Sequence, residues 1–409
     1  MSIFKKTLIF IVVFLALDFL AAKAYNYLHD QTITPARIAL EESLVYTDYG
    51  VGLRPNFNRE VAWGNMIYSL RTNSLGLKDF AVRDIMRKTK KRRVLLLGDS
   101  IVQGMGYSFE QTFAGRLAEK WSDCDVELLN GGTQLYGIIA YYLKARYLLE
   151  ALALNLDEII VFADITDAFN DVFNFELGEQ EQVTIKGLAR IADGSAQNYY
   201  VTDGTGEVTH AKAIPAPPPP ITSEEPVQPL TDRETRKAFL RNVRALLKRN
   251  SATINLISKV RRIIEVMTDD RQRYGLGKPE SGPIALWTIN EEHYNRYGKR
   301  GLEIGTRVMD KLFNLARNHG VRLSVVVYPL PDQIYARDLD SKHVRHWQNW
   351  SDRNGVRFIN FFPEFIKGSN LGAVIAENFI ATDMHLNEDG HSRMATLLDR
   401  SFPEYCAEK

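Results

Sequence analysis

A chain of 409 residues, 45% hydrophobic and 25% charged, has an ordinary globular composition and room for one large domain with insertions, or for two. Its 51 basic and 50 acidic residues leave a net charge of +1, so no global field points to nucleic acid as a partner. Two cysteines, Cys124 and Cys406, lie far apart without metal-binding spacing, and no metal or nucleotide cofactor is indicated.

The N-terminus carries the first signal. Lys5 and Lys6 precede Leu8 to Ala22, a stretch that is apolar apart from Asp18. A basic pair before an apolar run directs export with the basic end kept in the cytoplasm. Ala22-Lys23-Ala24 has the small-x-small form of a cleavage site, so a cleaved signal is one alternative. The length of the run, and Asp18 and Lys23 within it, favour an uncleaved anchor over residues 1–28. Either way the body of the protein is expected outside the cytoplasm, on the periplasmic or extracellular side of the inner membrane. A Cys124–Cys406 disulfide is then permissible, and two buried thiols fit equally well.

Residues 29–92 read as an approach segment. Short strands are expected at Val45-Tyr46, at Val51-Gly52-Leu53 and at Met66 to Arg71, followed by the polar connection Arg71-Thr72-Asn73-Ser74-Leu75-Gly76. From Arg93 strands and helices alternate. Strands are predicted at Val94–Leu97, Val126–Asn130, Glu158–Ala163, Val321–Tyr328 and Val356–Asn360. Helices are predicted at about Phe109–Trp121, Ile138–Leu154, Leu302–Arg317, Lys342–Asn354 and Asn387–Ser401. This alternation predicts a doubly wound, five-stranded parallel sheet in a three-layer αβα sandwich over 93–405.

An insertion at about 171–295 interrupts it. The segment carries a polar stretch, Asp193 to Gly206, and a Pro-rich run containing Pro217-Pro218-Pro219-Pro220. Residues 233–263 then hold ten Lys or Arg around apolar positions at helical spacing, which reads as a basic amphipathic helix or pair of helices broken near Asn250-Ser251. Packing on the domain with a solvated basic face is the favoured reading; a membrane-surface or acidic-glycan contact is the other.

Four features fall at the carboxyl ends of predicted strands, where open α/β sheets bind ligands. Ser100 follows the first strand, Gly131-Gly132 the second, Asp164-Ile165-Thr166-Asp167 the third, and Asp383-Met384-His385 lies in the last loop. A serine hydroxyl is a weak nucleophile until a base takes its proton. His385 is a base of suitable type, and Asp383 is spaced to hold the other ring nitrogen. Oxyanion donors would be the Ser100 and Gly132 amides and a side chain after the third strand. Each residue also has a plainer use: Ser100 as a helix cap, Asp99 as a turn support, Gly132 as a tight turn, His391 as a structural residue at a helix start. Tyr136 and Trp287 suit either a sugar site or the core.

Gly98-Asp99-Ser100, Asn130-Gly131-Gly132 and Asp383-Met384-His385-Leu386-Asn387 together resemble the motif blocks of the SGNH (GDSL-type) hydrolases, over about 90–165 and 300–400. The resemblance implies a flavodoxin-like fold and a Ser100–His385–Asp383 triad. The Asp-x-His spacing is similar to that of membrane-anchored, polysaccharide-modifying members. It thereby implies an O-acyl, chiefly acetyl, ester of a cell-surface or secreted polysaccharide as substrate, with water or a sugar hydroxyl as acceptor. A membrane protein supplying acyl groups is a compatible partner. The third block departs: the family carries Gly-x-Asn-Asp, and here Asp164 replaces the glycine and Thr166 the asparagine. Three readings stay open. Thr166 donates instead, Asn170 or Asn174 reaches in, or the enzyme is slow or a non-catalytic module of an envelope polysaccharide complex.

Overall fold

In the computed structural model, residues 3–47, 49–179, 181, 183–185, 201–202, 208–209, 247, 250–268, 276 and 282–406 are described. The Pro-rich run and nearly all of 233–249 lie outside them.

Helix α1 (Ile3–Glu42) contains the apolar N-terminal stretch and continues well past Leu28, the expected end of the anchor. The extension has a packing cause. Ile33, Ala36, Ala39 and Leu40 lie on one helical face and are buried, chiefly against a hairpin the sequence only half suggests. That hairpin is β3 (Asn58–Trp63) and β4 (Met66–Arg71), paired antiparallel from Asn58↔Arg71 to Trp63↔Met66. Gly64 sits in its two-residue turn at φ 59°, the left-handed region such turns require. Before it come β1 (Leu44–Thr47) and β2 (Gly50–Leu53), also antiparallel.

The central sheet holds β5 (Arg92–Leu97), β6 (Val126–Asn130), β7 (Glu158–Phe162), β10 (Arg322–Val327) and β11 (Arg357–Asn360). Two short strands, β8 (Phe175–Leu177) and β9 (Val183–Ile185), pair separately between β7 and β10 in sequence. The sheet order is β6-β5-β7-β10-β11, all parallel. This is the doubly wound flavodoxin-like order, in which the crossovers reverse direction beside β5. Residues 94–97 of β5 and 159–162 of β7 are fully buried, which accounts for their unbroken apolar sequence.

Helix α2 (Ser100–Gln103) follows β5 directly. The predicted helix at 109–121 begins later, as α3 (Phe113–Ser122), because the Thr112 hydroxyl accepts from the Gly115 amide at 3.1 Å and caps it there. Helix α4 spans Ile138–Arg146 and then widens, with the Leu152 amide donating to the Tyr147 carbonyl. Next come α5 (Asp167–Phe173), α6 (Ala252–Thr268), α7 (Lys299–Asn318), α8 (Lys342–Asn354), α9 (Leu371–Asn378) and α10 (Glu388–Ser401). Helices α3 and α10 pack together in one outer layer, and α7 packs on α4 and α5 in the other. A disulfide joins Cys124, just after α3, to Cys406, with a Cα–Cα distance of 5.4 Å. Tyr136 and Trp287 are both fully buried, and the Trp287 ring N–H donates to the Ile165 carbonyl at 2.7 Å. They are core residues.

Candidate active site

Strand β5 ends in Gly98, where an added Cβ would lie 2.1 Å from a Val102 methyl, so the turn into α2 requires glycine. Asp99 caps α2, its carboxylate accepting from the Ile101 amide at 2.9 Å. Ser100 is therefore the first residue of a helix at the carboxyl edge of the sheet. Its hydroxyl lies 2.8 Å from His385 Nε2. His385 Nδ1 lies 2.6 Å from Asp383 Oδ1, across 285 residues of chain from the serine.

The loop carrying this pair is tightly built. The Ile380 amide donates to the His385 carbonyl and the Asp383 amide to the Ile380 carbonyl, each at 2.9 Å. Thr382 is held at φ 66°, a strained conformation for a β-branched residue. Asp383 Oδ2 accepts from the Trp63 ring N–H at 2.9 Å, and the Trp63 ring stands edge-on to His385 at 5.1 Å between centroids. Burial pushes the Asp383 carboxyl up, but bonds from His385 and Trp63 outweigh it and hold the group well below the usual carboxylate range. Trp63 belongs to the β3–β4 hairpin, and nothing in its local sequence marks it for the site.

The oxyanion side is less open. Ser100 N–H is a first-turn amide, one that a helix leaves without an internal acceptor. The Gly132 amide donates to Asn130 Oδ1 at 3.0 Å, and Asn130 Nδ2 donates to the Val102 carbonyl at 2.9 Å. Gly132 presses on α2 so closely that a Cβ would lie 2.3 Å from the Gln103 nitrogen. Lys144 supports the same loop from beneath, donating to the Gly131 carbonyl and the Thr133 hydroxyl, each at 2.8 Å. Burial lowers this lysine to about 7.

Thr166 is buried, and its hydroxyl donates to Asp99 Oδ2 at 3.3 Å while its amide donates to Asp164 Oδ1 at 2.7 Å. Its one hydroxyl proton is thus directed into the protein. Asn170 and Asn174 are also committed elsewhere, Asn170 Nδ2 to the Tyr136 carbonyl and Asn174 Nδ2 to Asn170 Oδ1, each at 2.7 Å. The third block instead builds a buried acidic cluster. Tyr328 donates to Asp164 at 2.5 Å and Tyr141 to Asp167 at 2.7 Å. Burial, then the neighbouring Asp164 carboxylate, pushes Asp99 and Asp167 well above the ordinary range. His391, at the start of α10, is buried with Nδ1 accepting from the Phe113 amide at 3.3 Å. Burial lowers it to about 3, so it stays neutral and structural.

The sheet order is the doubly wound flavodoxin-like one, with Ser100 at its carboxyl edge and within hydrogen-bond distance of His385. No protein-family model matches the sequence, and no curated protein matches it. Among solved structures the chain is similar to TesA, at 9% identity over 77% of this chain and 99% of that one, with a TM-score of 0.37. It is also similar to a GDSL-like lipase from Bacteroides thetaiotaomicron, at 9% identity over 78% and 92% with a TM-score of 0.32. A lipase/acylhydrolase from Enterococcus faecalis gives 10% identity over 76% and 96% with a TM-score of 0.33.

Proposed function

We propose that this chain is a membrane-anchored, extracytoplasmic serine ester hydrolase or O-acyltransferase of the SGNH class. The observation that carries the reading is the unbroken relay from Ser100 Oγ to His385 Nε2 at 2.8 Å and from His385 Nδ1 to Asp383 at 2.6 Å. Ser100 Oγ attacks the acyl carbonyl while His385 Nε2 takes its proton. Asp383 fixes the imidazole tautomer and stabilises the imidazolium that forms. The Ser100 and Gly132 amides receive the oxyanion, the Gly132 amide turning from Asn130 to do so. His385 returns the proton to the leaving alcohol, and acyl-Ser100 then passes the acyl group to water or to a sugar hydroxyl. Acetyl esters of a cell-surface or secreted polysaccharide are the substrate class we favour. The Asp-x-His spacing, the apolar helix before the domain and the disulfide suited to an oxidising compartment support that choice.

The test is release of acetate from an aryl acetate and from acetylated polysaccharide by the full chain, beside S100A and H385A. Activity confined to the unaltered chain supports the reading. Equal turnover by all three refutes it. That outcome would select the alternative, a non-catalytic module in an envelope polysaccharide complex. The observation favouring this alternative is that the Gly132 amide and the Thr166 hydroxyl are both turned to internal acceptors.

A further inference from the structure

Among the described elements, helix α6 is the one that covers part of the basic segment. It lies along α1. The Thr253 amide donates to Asp18 Oδ1 at 2.6 Å, and Lys259 Nζ donates to the Tyr25 hydroxyl at 3.0 Å and sits 4.3 Å from that ring's centre. The two contacts advance together, 18 to 25 on one helix and 253 to 259 on the other, so the helices run side by side in the same direction. Asp18 is the one carboxylate in the Leu8–Ala22 stretch. A carboxylate there is costly in a bilayer unless something meets its charge. The first turn of α6 supplies that partner, with an amide at a helix N-terminus where negative charge is stabilised.

The other side of α6 is apolar and exposed. Leu256, Ile257, Val260 and Ile264 are 61%, 61%, 46% and 54% exposed and, with Arg261, line one shallow hollow. Their spacing puts them on a single helical face. In the neighbouring stretch of α1 the large apolar residues from Ile9 to Leu28 are mostly exposed as well, and burial on the hairpin begins only at Ile33. Asp18 lies ten residues before Leu28, about 15 Å of helix. The first turn of α6 therefore sits level with the apolar stretch rather than with the folded domain.

We propose that α6 is a second membrane-seated element, lying beside α1 with its Leu256–Ile257–Val260–Ile264 face in the outer leaflet. The occupant of the exposed face is the bilayer that α1 enters, so the inference rests on the anchor reading above. Running beside α1 from the level of Asp18, α6 at 17 residues is long enough to reach from within the apolar stretch to the outer headgroups but not to cross.

The test uses the full chain in phosphatidylcholine–phosphatidylglycerol vesicles. Both native cysteines are joined in the disulfide, so one introduced cysteine can carry an environment-sensitive fluorophore. Labels go on F14C in α1, on I257C and I264C in α6, and on E291C in the domain. The expected result is quenching by lipid-borne nitroxide and loss of iodide quenching at positions 14, 257 and 264, with the reverse at 291. If position 14 is lipid-quenched while 257 and 264 behave like 291, the α6 proposal is overturned and the anchor stands. If position 14 also behaves like 291, the anchor reading fails and takes this inference with it.

Discussion

Trp63 shows what one side chain does for the proposed triad. It donates to the Asp383 oxygen that His385 leaves free and packs edge-on against the imidazole. Replacing it with phenylalanine keeps most of the ring and removes the donor. A hydrogen bond to a charged group is worth about 1.5–3 kcal/mol, so W63F should lower kcat by about tenfold or more with KM unchanged. A fall in KM-governed binding alone, with kcat intact, would contradict that role. Gly132 is a second such position. G132A drives a Cβ into backbone at Gln103 and Val102, so the loop must move. Loss of an oxyanion amide costs about 100-fold or more in kcat, which steady-state rates on an aryl ester would show. Ser100, Asp383 and His385 were grouped from the sequence because each sits in a motif block, and the structure brings them within hydrogen-bond distance. Trp63 belongs to no such block, so nothing in the sequence joins it to Asp383, 320 residues away. Lys78 and Lys144 were equally hidden, since a sequence gives no sign that a lysine will be buried. Lys78 donates to the Gly104 and Tyr107 carbonyls at 2.9 and 2.6 Å, so both clamp loops next to the site. Thr166 was visible as a departure, but the direction of its hydroxyl depends on the buried Asp99.

Among the elements, the five core strands were legible almost to the residue, because strands buried on both faces must be continuously apolar. Strand β3 was not, since Asn58, Arg59 and Glu60 are exposed and only its second half is buried. The far half of α1 was hidden by the polar residues around Asp30 to Thr34, which mask a face used only once the hairpin is present. Helix α5 contributes a titration that can be measured. Asp171 accepts the Ile138 and Ile139 amides at 3.2 and 3.1 Å, capping α4 from a neighbouring helix. Burial raises it to about 7. Its unfolded value is about 3.9, so the folded state binds the proton more tightly. The resulting stability is complete below about pH 4 and is lost as pH rises toward 7. Asp99, Asp164 and Asp167 are raised too and act in the same direction. Thermal unfolding should therefore give a higher Tm at pH 5 than at pH 7.5, with a smaller difference in D171N. An unchanged difference in D171N would rule Asp171 out as a contributor.

At the scale of the molecule, two long-range ties hold the assembly. The disulfide spans 282 residues and fastens the C-terminal segment to α3. Removing a native bridge typically costs about 2–5 kcal/mol, so C124S should unfold at a clearly lower Tm; an unchanged Tm would mean the bridge adds nothing. The second tie runs from the N-terminal helix to the site. Arg37 of α1 donates to the Gly64 carbonyl at 2.8 Å, at the turn that follows Trp63. The helix that carries the apolar stretch thus braces the hairpin that steadies Asp383, an arrangement that pairwise motifs cannot reveal. In the proposed reaction His385 activates Ser100 as a nucleophile. A fluorophosphonate probe with peptide mapping by mass spectrometry tests it most directly. One covalent adduct is expected, on Ser100, with labelling almost abolished in H385A. An absence of adduct on Ser100, or equal labelling with and without His385, would contradict it.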